Sequence, residues 1–192
     1  ISHQKAIGEY FGNKEAVLND EPLRLGFVGA QKQIKGWDIF KKVVAAAEDE
    51  GCNYDFYYFG NGSEKIDGVT AVNVDIATQG KDAMIKNLKE KRISAVFLVC
   101  VWGETYSYTT YESHAANCYI FAMKSGGNIP YTVEKNHWGR VFSTEEELVK
   151  AILDEKALRE EINAWKKNAA PGAAAYMDND DILKQFSDKG KA

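Results

Sequence analysis

The stretch ISAVFLVC, residues 93–100, holds one hydroxyl and no charge in eight positions. A strand that is apolar on both faces has to be covered on both sides, as a central strand of a parallel sheet is. Around it the chain alternates between two periods. LRLGFVG (23–29), YDFYYFGNG (54–62), VTAVNVD (69–75), CYIFAM (118–123) and GRVF (139–142) read as strands, several running into a turn. Between them, Ile39, Phe40, Val43, Val44, Ala46 and Ala47 recur at helical spacing, and Gly51 closes that segment as a C-terminal cap. KDAMIKNLKEKR, following residue 80, reads as one helix with its cations at the C-terminal end, where the dipole favours them. TEEELVKAILDE (144–155) reads as a helix opened by a Thr-x-x-Glu capping box, ALREEINAWKK as a further helix, and residues 178–187 as a short terminal one.

Strands separated by helices of about a dozen residues imply right-handed βαβ units. The expected fold is α/β, a Rossmann-like doubly wound parallel sheet. Ligands of such sheets sit beyond the carboxyl ends of the strands. The loops to search therefore follow residues 29, 60, 75, 100 and 123.

Composition narrows the partners. A net charge of -4 and a pI near 5.5 lack the basic surplus of a nucleic-acid binder. No apolar run approaches the roughly 20 residues that cross a bilayer, so no transmembrane segment is expected. The start, ISHQKAIGEY, has no signal-peptide pattern and no initiator Met. It reads as part of something longer, with residues 1–22 a linker or the end of a missing N-terminal domain, 23–168 the ligand-binding domain, and 169–192 an AAPGAAA hinge and helix. Cys52, Cys100 and Cys118 are odd in number and lack CxxC spacing; the last two sit in apolar contexts and read as reduced core residues. A cytoplasmic setting follows, with membrane association of the full-length protein left open. His3, His114 and His137 are scattered, and no metal ligation is expected.

Two loops carry candidate chemistry. In GAQKQIKGWD (29–38), Gly29 ends a strand and Lys32 and Lys35 precede a helix beginning near Trp37. Two ammonium groups beside helix-start amides can neutralise a phosphate. Two solvated lysines satisfy the same pattern, and spacing alone favours them. Neither GxGxxG nor a Walker loop occurs, which lowers dinucleotide oxidoreductases and P-loop ATPases.

The second loop is VWGETYSYTTYESHAANC (101–118), with Glu104 and Glu112 separated by seven residues. Thr109-x-x-Glu112 reads as a capping box, so a helix is expected near Thr109, with amides of residues 107–110 pointing out from the strand ends. Eight positions, part helix and part loop, separate the carboxylates by on the order of 10 Å. That is wide for a glycosidic bond held between acids, which stand about 5 to 9.5 Å apart. It suits the two ends of an extended ligand such as a nucleoside diphosphate sugar. From spacing alone, a capping glutamate with a rim glutamate is the stronger account.

Taken together, Lys-Gly-Trp-Asp after the first strand, Glu-x7-Glu after the fourth, Gly-Gly-Asn after the next, then HWGRVF and an EELVKAIL helix resemble the C-terminal, donor-binding domain of GT-B retaining glycosyltransferases of the family 4 type. The likeness spans about residues 23 to 165 in order, and Glu-x7-Glu is its most specific part. By that resemblance Glu112 holds the ribose, and Glu104 lies by the donor sugar. Lys35, with Lys32 and Gly29, binds the diphosphate. Amides of Tyr106, Ser107, Tyr108 and Thr109 meet sugar and phosphates, and Val74 and Asp75 lie near the base. Glu104 and Lys35 would be the catalytic pair. The resemblance implies a nucleotide-sugar donor, no metal cofactor, an acceptor carbohydrate or lipid bound by a missing N-terminal domain, and a fragment that turns over poorly alone.

The chain departs from that family's pattern in three places. Ala30 stands where an arginine is usual, Tyr106-Ser107 where Phe-Gly is usual, and Asn117, which tolerates positive φ, where a glycine is common. Other readings of the chain are a non-catalytic sugar-nucleotide-binding module, a GT-B sugar-nucleotide epimerase, or a flavodoxin-like scaffold needing none of these residues. Asp178-Asn179-Asp180 reads as a helix cap rather than a metal motif, His114 as a packed or surface residue, and Trp37, Trp102, Trp138 and Trp165 as packing residues.

Overall fold

The structure, a computed structural model, describes residues 4–5, 17, 20–169 and 175–176 of the 192. In chain order the strands are β1 (Gln4–Lys5), β2 (Leu23–Val28), β3 (Tyr54–Gly60), β4 (Val69–Asn73), β5 (Ala95–Leu98), β6 (Tyr119–Met123), β7 (Gly139–Phe142) and β8 (Ala175–Tyr176). The helices are α1 (Trp37–Glu50), α2 (Ile76–Gln79), α3 (Ala83–Glu90), α4 (Tyr108–Ala115), α5 (Asn128–Asn136), α6 (Glu145–Leu153) and α7 (Glu155–Asn168). Six strands form one sheet in the order β4-β3-β2-β5-β6-β7, and all neighbours are parallel. β1 and β8 pair separately and antiparallel. The chain runs outward from β2 to β4, then returns to place β5 beside β2. In open parallel sheets ligands bind at such a reversal, here where the loops that follow β2 and β5 meet.

Alternation along the strands divides the core in two. Leu23, Leu25, Phe27, Ala95, Phe97 and Phe121 face α1, α6 and α7, which contribute Phe40, Val43, Leu148 and Ile162. Val28, Val96, Leu98, Ile120 and Ala122 face the other side, against Met84, Leu88, Ile129 and Val133 of α3 and α5. β5 is buried at every position, as its uninterrupted apolar run requires. The α/β, Rossmann-like doubly wound fold read from the sequence is the fold observed.

Local signals held at several ends and failed at others. Gly51 caps α1 at φ 73°, and Thr144 accepts from the Glu147 amide at 3.2 Å. Asn117 takes φ 58°. The helix expected after residue 80 is α3; α2, four residues capped by Asp75 and ended at Gly80 (φ 89°, ψ 170°), precedes it and has no counterpart among the expected helices. α5 went unread: its Asn-Ile-Pro opening looks like loop, yet proline is tolerated in a helix's first turn. The helix expected near Thr109 is α4, which starts at Tyr108 with Ser107, not Thr109, as its N-cap. Within the expected linker, the Val17 amide donates to Asn163 Oδ1 at 2.9 Å and Arg159 donates to the Glu21 carbonyl at 2.8 Å, so Val17 and Glu21 are tied to α7. The helix expected at 178–187 and Asp178-Asn179-Asp180 lie outside the described residues.

Cys100 and Cys118 are buried, and burial pushes their thiols up to about 11 and about 12. Trp37 packs edge-on against Phe27 at 5.0 Å, Trp138 stacks on His114 at 3.9 Å, and Trp165 meets Tyr119 at 5.5 Å. Trp102 is a correction: it is 66% exposed and packs no core. No helix among the described residues is long and apolar enough to cross a membrane.

Candidate functional site

The loop after β2 is pinned from two sides. Gln31 and Glu64 clasp each other: Gln31 Nε2 donates to the Glu64 carbonyl at 2.7 Å, and the Glu64 amide donates to Gln31 Oε1 at 2.8 Å. The Glu64 carboxylate accepts from Trp37 Nε1 at 2.7 Å and pairs with Lys41 at 3.1 Å. Lys41 first, then Trp37, holds that carboxyl below its usual range. Beyond this clasp a short 3-10 turn, Gln33–Lys35, ends at Gly36 with φ 84°. A Cβ at Gly36 would lie 2.1 Å from the Val99 carbonyl oxygen, so only glycine lets the turn lie against the end of β5. The Val101 amide donates to the Ile34 carbonyl at 3.1 Å and joins the two loops directly.

On the loop after β5, Glu104 is fixed by the loop after β6. Its amide donates to the Gly126 carbonyl at 3.3 Å, and its carbonyl accepts from the Asn128 amide at 2.8 Å. Gly127 sits at φ 68°, where a Cβ would come within 2.7 Å of the Glu104 backbone. Thus the Gly-Gly-Asn segment is a support for Glu104. The Lys35 ammonium is ion-paired with Glu104 Oε1, the two side chains one-third and one-fifth exposed. Cys100 lies beneath, close enough to feel both charges. Two residues 69 positions apart meet at the reversal in strand order.

α4 begins on the same edge. Amides at the start of any α-helix lack acceptors within it and carry partial positive charge. Ser107 supplies no side-chain cap; its hydroxyl pairs with Thr109 Oγ1 at 2.9 Å. Tyr106 meets Tyr108 edge-on at 5.0 Å and stacks on Tyr111 at 5.5 Å. Glu112 is buried at 3% exposure, on a helix whose inward face is mostly polar. Among the described residues, Thr110 Oγ1, Ser113 Oγ and His114 Nδ1 are buried without hydrogen-bond partners. Burial brings His114 down to about 4.

The remaining expected residues are placed as follows. Gly29 ends β2 at φ 132°, with open space where a side chain would stand. Lys32 is exposed, and its carbonyl accepts the Lys35 amide at 2.9 Å. Val74 packs against the second core cluster beside the end of β4. The Asp75 carboxylate caps α2, accepting from the Ala77 amide at 2.9 Å and the Thr78 hydroxyl at 3.0 Å. Sequence reasoning missed the Gln31–Glu64 clasp, which leaves no pattern in the chain. It also missed the exposed apolar group at this edge, Ile34, Val101, Trp102 and Tyr108.

No protein-family model matches the sequence, and no curated protein matches it. Solved structures do. WaaG, titled a glycosyltransferase involved in lipopolysaccharide biosynthesis, aligns over 78% of this chain and 43% of its own, with a TM-score of 0.57 and 14% identity. The lipopolysaccharide outer core galactosyltransferase WaaB aligns over 83% and 48%, with a TM-score of 0.59 and 12% identity. Anabaena HepE, in complex with UDP and glucose, aligns over 77% and 43%, with a TM-score of 0.50 and 12% identity. The chain shares its α/β, Rossmann-like fold with part of each of these glycosyltransferase structures. It spans less than half the length of each of these three structures, and at such identities the likeness is one of fold.

Proposed function

We propose that this chain binds a nucleoside diphosphate sugar and supports transfer of the sugar, with retention at the anomeric carbon, to an acceptor hydroxyl. The observation that carries the reading is the Lys35–Glu104 ion pair at the strand-order reversal, beside the start of α4. Lys35 and the α4 amides would hold the diphosphate and stabilise charge growing on it as it departs. Glu104 would orient the sugar, and Glu112 the ribose. Tyr106, Ser107, Tyr108 and Thr109 would line the site between them, and Lys32, exposed on its loop, would approach from outside. The reading invokes no metal. HepE is solved with UDP and glucose, in keeping with such a ligand on this fold. The acceptor, a carbohydrate or lipid, would be bound by structure beyond these residues.

Ala30, where the resembled family carries arginine, favours a second reading: a binding module with little turnover. Calorimetric titration with UDP, GDP and ADP and their sugar conjugates tests the first part. One base should bind, and Lys35→Ala and Glu112→Ala should each weaken it at least about tenfold, the loss of one charge-assisted contact. If the unaltered chain takes up none of these compounds, the donor-site reading fails. Donor hydrolysis by a longer form then separates enzyme from module.

A further inference from the structure

Resting on that donor-site reading, we propose that Glu104 is a resident counterion that makes the site discriminate a sugar-bearing nucleoside diphosphate from the bare one. The Lys35 ammonium, the cation placed for the diphosphate, is already occupied by the Glu104 carboxylate. Both backbones are tied in place. Lys35 lies in a turn held against Val99 by Gly36 and joined to Val101 through Ile34; Glu104 is bonded on both sides to the Gly126–Asn128 segment. The exchange of partners then falls to the side chains.

A phosphate drawn to Lys35 therefore displaces a carboxylate that stays at the same junction. A bare diphosphate leaves that carboxylate without a cation and beside a new anion, and like charges so close oppose binding. A sugar on the diphosphate reverses the balance, because its hydroxyls can donate to the freed carboxylate oxygens. Glu104 thus penalises the ligand lacking a sugar and rewards the one that carries it. The bare nucleoside diphosphate is what remains after transfer, so the same repulsion would hasten its departure. Partial exposure keeps the effect moderate, since water screens the pair.

Calorimetry on the 192-residue chain tests this with the best-bound base, as nucleoside diphosphate and as sugar conjugate. Glu104→Gln removes the charge at nearly constant shape. It should tighten the bare nucleoside diphosphate about fivefold and weaken the conjugate by a similar factor, a range typical of a partly exposed pair. The ratio of the two Kd values, bare over conjugate, should then fall by more than about tenfold. Glu104→Asp keeps the charge but draws it back, and should give an intermediate ratio. Lys35→Ala should weaken both ligands and serves as the control. A ratio that stays constant or rises in Glu104→Gln overturns the counterion role while leaving the donor site intact. Absence of binding by the unaltered chain overturns both.

Discussion

α1 and α4 follow the two strands that flank the reversal, yet they are buried by opposite means. α1 runs 14 residues and buries Trp37, Ile39, Phe40, Val43, Val44 and Ala47, every one apolar. α4 runs eight and buries Thr110, Glu112, Ser113, His114 and Ala115, four of them polar. Equivalent positions in the sheet thus serve different ends. α1 is held by dispersion and the hydrophobic effect, and its glycine start is shaped to fit Val99. α4 places hydroxyls and a carboxylate where aliphatic side chains would pack better, a local inconsistency of the kind expected where a surface is kept for a ligand.

The contrast can be broken most forcefully through α1. Phe40 is fully buried and rings with Phe27, Trp37, Phe56 and Phe97. Phe40→Ala should lower unfolding stability in urea by about 3–5 kcal/mol, whereas a loss below about 1 kcal/mol would mean α1 is not the anchor described.

The second test uses pH on α4. His114 has its folded pKa depressed to about 4 from 6.5, so the unfolded chain takes up its proton first as pH falls. Its contribution is complete above pH 6.5, declines through the window between these values, and is gone below about 4. Over that range it amounts to about 3 kcal/mol. Denaturation midpoints at pH 7 and 4.5 should therefore converge in His114→Phe, which can still stack on Trp138. An unchanged pH dependence would show that His114 takes a proton in the folded state as readily as in the unfolded one.

The smallest expected effect is also the most pointed. Ser113→Ala removes a buried hydroxyl that lacks a partner. Stability should stay level or rise by up to about 1 kcal/mol, because no hydrogen bond is lost. A clear destabilisation would show that α4's polar face is satisfied and packed as α1's is.

These differences explain what the sequence could reveal. Apolar periodicity announces α1 and the runs of β2, β5 and β6 because burial dictates each residue. It is silent on α4, whose buried face is polar, and there only Thr-x-x-Glu suggested a start, one residue late. α5 was hidden by its Gly-Gly-Asn-Ile-Pro opening, in which glycine serves Glu104 rather than a loop. The Lys35–Glu104 pair was legible as two separate candidates, but their contact follows from strand order. The Gln31–Glu64 clasp depends on two loops being brought together, and Trp102 looked like core because aromatic residues usually are.

The account stands or falls on where a diphosphate lies. A crystal structure of the chain with its best-bound nucleoside diphosphate should place the phosphates between Lys35 Nζ and the first turn of α4, with the Glu104 carboxylate turned away from Lys35. Phosphates found elsewhere, with Lys35 and Glu104 still paired, would contradict it.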